Sequence, residues 1–178
     1  MKHPMLHWGL IFILGLLGCL VVFIGAYVIY MQTHYYRIKD YQPLSIKQKL
    51  NHSNKLQTNT TYSAATYNVG FGAYNQKFSF FMDTGKMKDG TKTQGKYGKA
   101  ENEAAVLQNT NGEINTMKKN NADFMLFQEI DVDSSRSYHV NQVKKMSQNF
   151  ANYEEIFANN FHSPYLLGCV SFCLIGSD

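Results

Sequence analysis

The chain divides sharply by polarity. From Trp8 to Met31 it reads WGLIFILGLLGCLVVFIGAYVIYM, about 24 residues without a charge. At about 1.5 Å per residue, a helix of this length spans a hydrocarbon core of about 30 Å. Trp8 at one end and Tyr27, Tyr30, Tyr35 and Tyr36 near the other fit aromatic belts at the lipid interfaces. The run is too long for the apolar core of a cleaved signal peptide and ends in YVIYMQT, with no small-x-small site. Leu16-Leu17-Gly18-Cys19 looks like a lipobox, yet Leu20-Val21-Val22-Phe23 follow where a lipidated cysteine is followed by polar residues. The pattern predicts an uncleaved transmembrane helix over residues 8–31, behind a short head of residues 1–7.

Beyond it the chain turns polar. Residues 32–61 read as a juxtamembrane spacer with Pro43, scattered Lys, and helical tendency around Leu44–Leu50. Tyr62 to Gly72 carries β-favouring residues into a glycine-punctuated loop. Ala73–Lys99 is loop-like: Gly85, Gly90, Gly95 and Gly98 alternate with Lys86, Lys88, Lys92, Lys96 and Lys99. A helix is predicted over Ala100–Asn120, with Ala104, Leu107, Ile114 and Met117 on one face, and Asn121-Ala122-Asp123 as the turn after it. Phe124–Ile130 is a nearly continuous apolar run, the pattern of a strand covered on both faces. A second helix over Tyr138–Phe150 places Val140, Val143, Met146 and Phe150 at helical spacing, and Tyr153–Ala158 is a further strand. Strand–helix–strand–helix–strand predicts an α/β layered fold.

At 178 residues there is room for one domain with an appendage. The net charge of +4 favours anionic partners such as phosphates or lipid headgroups, but is far too small for a protein that coats nucleic acid. Cys19, Cys169 and Cys173 make no disulfide framework, and the Cys-x3-Cys pair reads as incidental thiols. Orientation is contested. Arg37, Lys39, Lys47 and Lys49 after the span, against Lys2 before it, argue for a cytoplasmic body. A short head that stays inside easily, and long domains that translocate largely regardless of charge, argue for an extracellular one.

Chemistry concentrates at two predicted strand ends, Thr66-Tyr67-Asn68-Val69-Gly70 and Leu126-Phe127-Gln128-Glu129-Ile130-Asp131. A carboxylate delivered by an apolar run is costly unless paired or bound to a cation. Glu129 is a hard oxygen ligand suited to Mg²⁺, which keeps several waters and takes one or two protein carboxylates. Asn68 supplies a neutral amide to orient ion, phosphate or carboxylate. The bland alternative is that Glu129 marks where a strand surfaces.

These two segments, with Ala122-Asp123 before the second, resemble the N-terminal part of the endonuclease/exonuclease/phosphatase superfamily over Tyr62 to about Tyr165. Its members include DNase I-like nucleases, sphingomyelinases and inositol-polyphosphate phosphatases. Phe71-Gly72-Ala73-Tyr74, Phe80-Phe81-Met82-Asp83 and Asp131 to Asn141 resemble a membrane-anchored subgroup from Gram-positive bacteria. The resemblance implies a partial four-layer α/β sandwich (DNase I-like) over 62–165 and Mg²⁺ (or Mn²⁺) as cofactor. It also implies Glu129 as metal ligand and Asn68 beside the scissile phosphate, both catalytic. Arg136 is a candidate clamp for a phosphate oxygen and Asp131 or Asp133 a candidate aid to the metal; a surface loop with capping residues is the competing reading. His139 and His162 match no catalytic histidine of the family.

In that family a His–Asp pair handles the proton and comes from the second half of the fold. Here the likeness stops at about residue 166, and residues 166–178 (LLGCVSFCLIGSD) read as a non-family tail from a frameshift or premature end. The expectation is therefore a membrane-anchored hydrolase-family chain, bound to the bilayer through residues 8–31, truncated and inactive as it stands. Its substrate would be a phosphate ester, whether nucleic acid, phospholipid or sugar phosphate, and no specific protein partner is inferred. The alternative is a non-catalytic membrane-bound remnant or binding module.

Overall fold

The computed structural model describes residues 4–47, 56–159 and 172–177. The start of the head, residues 48–55 of the spacer, His162, Cys169 and residues 166–171 of the tail lie outside the described residues. The chain forms two compact units, one containing the N-terminal helix and one the body from Arg37 onward. Helix α1 runs Pro4–Thr33. Within it His7–Thr33, 27 residues, is long and apolar enough to cross a membrane. Its apolar side chains, Phe12, Val22 and Phe23 among them, are exposed around the helix, the character of a segment whose solvent is lipid.

The body is α/β. Its strands are β1 (Ile46–Lys47), β2 (Ala64–Asn68), β3 (Thr84–Lys86), β4 (Lys92–Gln94), β5 (Phe124–Gln128), β6 (Tyr153–Ala158) and β7 (Phe172–Ser177). Its helices are α2 (Glu103–Asn120) and α3 (Gln142–Asn149). Five strands form one sheet in the order β1-β6-β7-β5-β2, and β3 and β4 form a separate ribbon. β2 and β5 are parallel, in register from Ala64↔Phe124 to Asn68↔Gln128, which requires the long crossover that α2 supplies. The other pairings of the large sheet are antiparallel. β7, drawn from the tail, lies between β5 and β6.

Local chemistry sets the helix ends. Asn102 has extended backbone and its Oδ1 accepts from the Ala105 N–H at 2.8 Å, so α2 starts at Glu103, later than the apolar pattern suggested. Asn121 closes it in the left-handed conformation (φ 45°), a role its short polar side chain tolerates. α3 begins after Asn141, whose Oδ1 caps the Lys144 N–H at 2.7 Å. The residues before it cannot extend the helix, because Tyr138 and His139 both have positive φ. The Lys-rich stretch expected as loop contains the β3–β4 hairpin, with Asp89 Oδ1 accepting from Thr91 N–H at its tip. Part of the expected helix around Leu44–Leu50 is strand β1, where Lys47 Nζ lies 3.3 Å from Oε1 of the buried Glu155.

One face of the sheet carries the core. Met125 and Phe127 of β5 pack with Ile114 and Met117 of α2 and Val143, Met146 and Phe150 from α3 and its end. β5 is not covered on both faces as its composition suggested: Phe124, Leu126 and Gln128 are only half-buried. Beside them Ala64, Thr66 and Asn68 of β2 are exposed. A smaller cluster of Phe71, Ala73, Ala100, Val106 and Val140 anchors the loop after β2 to the start of α2.

Candidate cation site

The site is built where the two parallel strands end together. Their pairing continues past the last strand residue: Val69 N–H donates to Gln128 O at 2.9 Å and Phe71 N–H to Glu129 O at 2.8 Å. This brings Asn68 and Glu129 side by side. Asn68 Nδ2 donates to Glu129 Oε1 at 2.9 Å, and Asn68 Oδ1 accepts from Gly70 N–H at 2.9 Å. Both ends of the amide are thus committed, which fixes its orientation and aims the Glu129 carboxylate. Glu129 has φ +53°, a left-handed conformation that costs a non-glycine residue roughly 1–2 kcal/mol and is kept only where surrounding bonds enforce it.

The loop after Asn68 is a tight left-handed turn. Gly70, Phe71 and Gly72 all have positive φ, with Gly72 N–H bonded to Val69 O and Ala73 N–H to Gly70 O. A Cβ on Gly70 would fall 2.3 Å from Cδ2 of Tyr74, and one on Gly72 would fall 2.9 Å from Gln142 Nε2 and Val106 Cγ1. Both positions therefore demand glycine for conformation and for space.

Beneath the turn lies a buried polar network. Arg136 Nε donates to Asp131 Oδ2 at 3.0 Å and its terminal nitrogen to Oδ1 at 2.8 Å, with both side chains almost wholly buried. Its guanidinium also lies 4.2 Å from the centre of the buried Phe71 ring. Gln142 joins in, accepting from Asp131 N–H at 3.1 Å and donating to Thr110 Oγ1 at 2.9 Å. This corrects two expectations. Arg136 is not placed as an open phosphate clamp, since Nε and one terminal nitrogen bond Asp131 and the side chain is almost wholly buried. Asp131 is likewise committed to Arg136, and Asp133 is exposed and pairs with His139 Nδ1.

The structure also adds a residue that the apolar pattern missed. A cleft of about 350 Å³ is lined by Tyr67, Asn68, Val69, Gly70, Tyr74, Glu113 and Glu129. Glu113 projects from the core face of α2, is 7 % exposed, and its Oε2 is buried without a hydrogen-bond partner among the described residues. Burial pushes its carboxyl up to about 8. Burial first, and then the Glu113 charge, raise the Tyr67 hydroxyl. Tyr74 is raised by burial, then by Asp83 and Glu129, with Arg136 pulling the other way. The deeply buried acid of this cleft is therefore Glu113. Glu129 is half-buried and hydrogen-bonded, so its place is explained by Asn68 more than by apolar surroundings.

Among the described residues no three His, Cys, Asp or Glu side chains gather as a metal cluster. The donor set of the cleft is nevertheless all hard oxygen and amide, with two carboxylates on one cavity. That suits Mg²⁺ or Mn²⁺, which complete their shell with water, and does not suit a tetrahedral zinc site. A separate cleft of about 410 Å³ is lined by Lys77, Lys96 and Lys99 with Phe78, Tyr97 and Tyr138, and contains neither Asn68 nor Glu129. No family model, curated protein or solved structure matches the chain.

Proposed function

We propose that the body carries the metal site of a Mg²⁺- or Mn²⁺-dependent phosphoesterase of the endonuclease/exonuclease/phosphatase type, held at the cell membrane by α1. The observation that carries this reading is the 2.9 Å contact of Asn68 with Glu129 at the adjoining ends of parallel strands. Glu129 would hold the cation, Asn68 orients the carboxylate, and the Gly70–Gly72 turn keeps the backbone low at the rim so that a phosphate can approach. When bound, the cation supplies Lewis-acid stabilisation of charge developing on a phosphate oxygen. In the four-layer arrangement the half-buried outer face with Phe124, Leu126 and Ile156 is the surface a second sheet would cover. We place the body outside the cell; its cleavage by protease added to intact cells would support this, and full resistance there with cleavage after lysis would reverse it.

A second reading, a binding module without turnover, has its own support. The residues lining the cleft include no histidine, and His139 is engaged with Asp133 at the surface. The histidine base of the family's chemistry is thus not among the residues that line the cleft. Hydrolysis of bis(p-nitrophenyl) phosphate by the full chain in detergent separates the two. Enzyme function predicts turnover with Mg²⁺ that disappears with chelator and with Glu129→Ala. The binding module predicts no turnover but Mn²⁺ uptake that depends on Glu129. Hydrolysis that survives both treatments would contradict the site.

A further inference from the structure

We propose that Glu113 is a second carboxylate ligand of the divalent cation in the Asn68–Glu129 cleft, reaching it from helix α2. This deepens the reading above and rests on it. Glu113 and Glu129 arise from different elements, α2 and the end of β5, yet line one cavity. Glu129 already has a partner in Asn68 Nδ2. Glu113 differs: it is more than nine-tenths buried, and its Oε2 has no hydrogen-bond partner among the described residues. An acceptor-only group left unsatisfied in a low-dielectric position is destabilising, and the cell has two simple remedies, a proton or a cation.

Position favours the cation. A proton would satisfy Glu113 anywhere in the core, and gives no reason for the acid to line a cleft that a second carboxylate also lines. A divalent ion held in the cleft would satisfy the orphaned Glu113 oxygen and the Glu129 carboxylate together. Two carboxylates, with water filling the remaining positions, are also the protein complement that Mg²⁺ and Mn²⁺ accept. Thr110 and Gln142, one turn away on the same helix face and across from it, are bonded to each other and leave Glu113 to the cleft.

The test uses the full chain in detergent, with Mn²⁺ alone as the probe and the free aqueous Mn²⁺ resonance as the readout of binding. Glu113→Gln preserves shape and removes the charge; Glu113→Asp preserves the charge and shortens the reach; Glu129→Gln is the reference. Both Glu113→Gln and Glu129→Gln should weaken Mn²⁺ binding by about tenfold or more, with Glu113→Asp in between. Weakening by Glu129→Gln with no effect, or a gain, in Glu113→Gln would overturn the second ligand and leave the Glu129 site standing. No uptake by the unaltered chain, or uptake indifferent to Glu129, would overturn the site itself and this inference with it. If circular dichroism finds Glu113→Gln unfolded, Glu113→Asp carries the test: weaker binding supports the ligand, unchanged binding overturns it.

Discussion

Glu113 ties stability to pH in a direction that can be worked out from its position. Without metal, its carboxyl keeps its proton in the folded chain up to about pH 8, against 4.5 for the ordinary group. Between those values the folded state holds a proton that the unfolded state has released, so stability is full below the lower value and falls as pH rises through the upper one. The loss amounts to as much as about 5 kcal/mol. Urea unfolding in chelator should show this fall, and Glu113→Gln should flatten it and be the more stable protein at pH 8. A Glu113→Gln profile that keeps the same slope would assign the dependence elsewhere. The Asp131–Arg136 pair makes a second claim at this scale. Its two bonds lie in the interior, so Asp131→Ala strands a buried guanidinium and should lose about 3–5 kcal/mol in the same assay. A loss under about 1 kcal/mol would place the pair effectively in solvent.

The elements that matter are the paired ends of β2 and β5 and the left-handed turn that follows. Gly70→Ala puts a methyl 2.3 Å from the Tyr74 ring at a positive φ, so the turn must move. It should lose about 1–3 kcal/mol of stability and weaken Mn²⁺ binding together; an unchanged Mn²⁺ affinity would detach the turn from the site. Much of this architecture is legible in the amino-acid order. Val140, Val143, Met146 and Phe150 recur at helical spacing and are all buried, and Tyr153–Ala158 reads as a strand and is one. What is not legible follows from polar residues in core positions. The buried stripe of α2 runs Val106, Thr110, Glu113, Ile114 and Met117, whereas apolar spacing selects Ala104 and Leu107, which are exposed and half-buried. Thr110 enters the core because Gln142 bonds it, and Glu113 because the cleft receives it; neither reason is visible in a hydrophobic pattern. The spacing 106, 110, 113, 117 was the available signal for Glu113. Arg136 reads as an open clamp for a similar cause, since the bonds that bury it join two loop residues, Asp131 and Arg136, which periodicity does not pair.

On the scale of the whole molecule, the chain combines a helix suited to lipid with an α/β body whose chemistry converges on one edge of its sheet. Lys86, Lys88, Lys92, Lys96 and Lys99 gather on and beside the β3–β4 hairpin, while the cleft carries two carboxylates. On the proposed reading, the acidic cleft would take the cation and the basic surface would favour an anionic ester. The most direct measurement is paramagnetic broadening of backbone amide signals when substoichiometric Mn²⁺ is added to the isotopically labelled full chain in micelles. A cation held at the ends of β2 and β5 predicts that Asn68, Gly70 and Glu129 broaden first, together with the Asn68 side-chain amide, and that Thr91 beside Asp89 at the hairpin tip stays sharp. Broadening centred on that tip, or spread evenly over surface carboxylates, would contradict it.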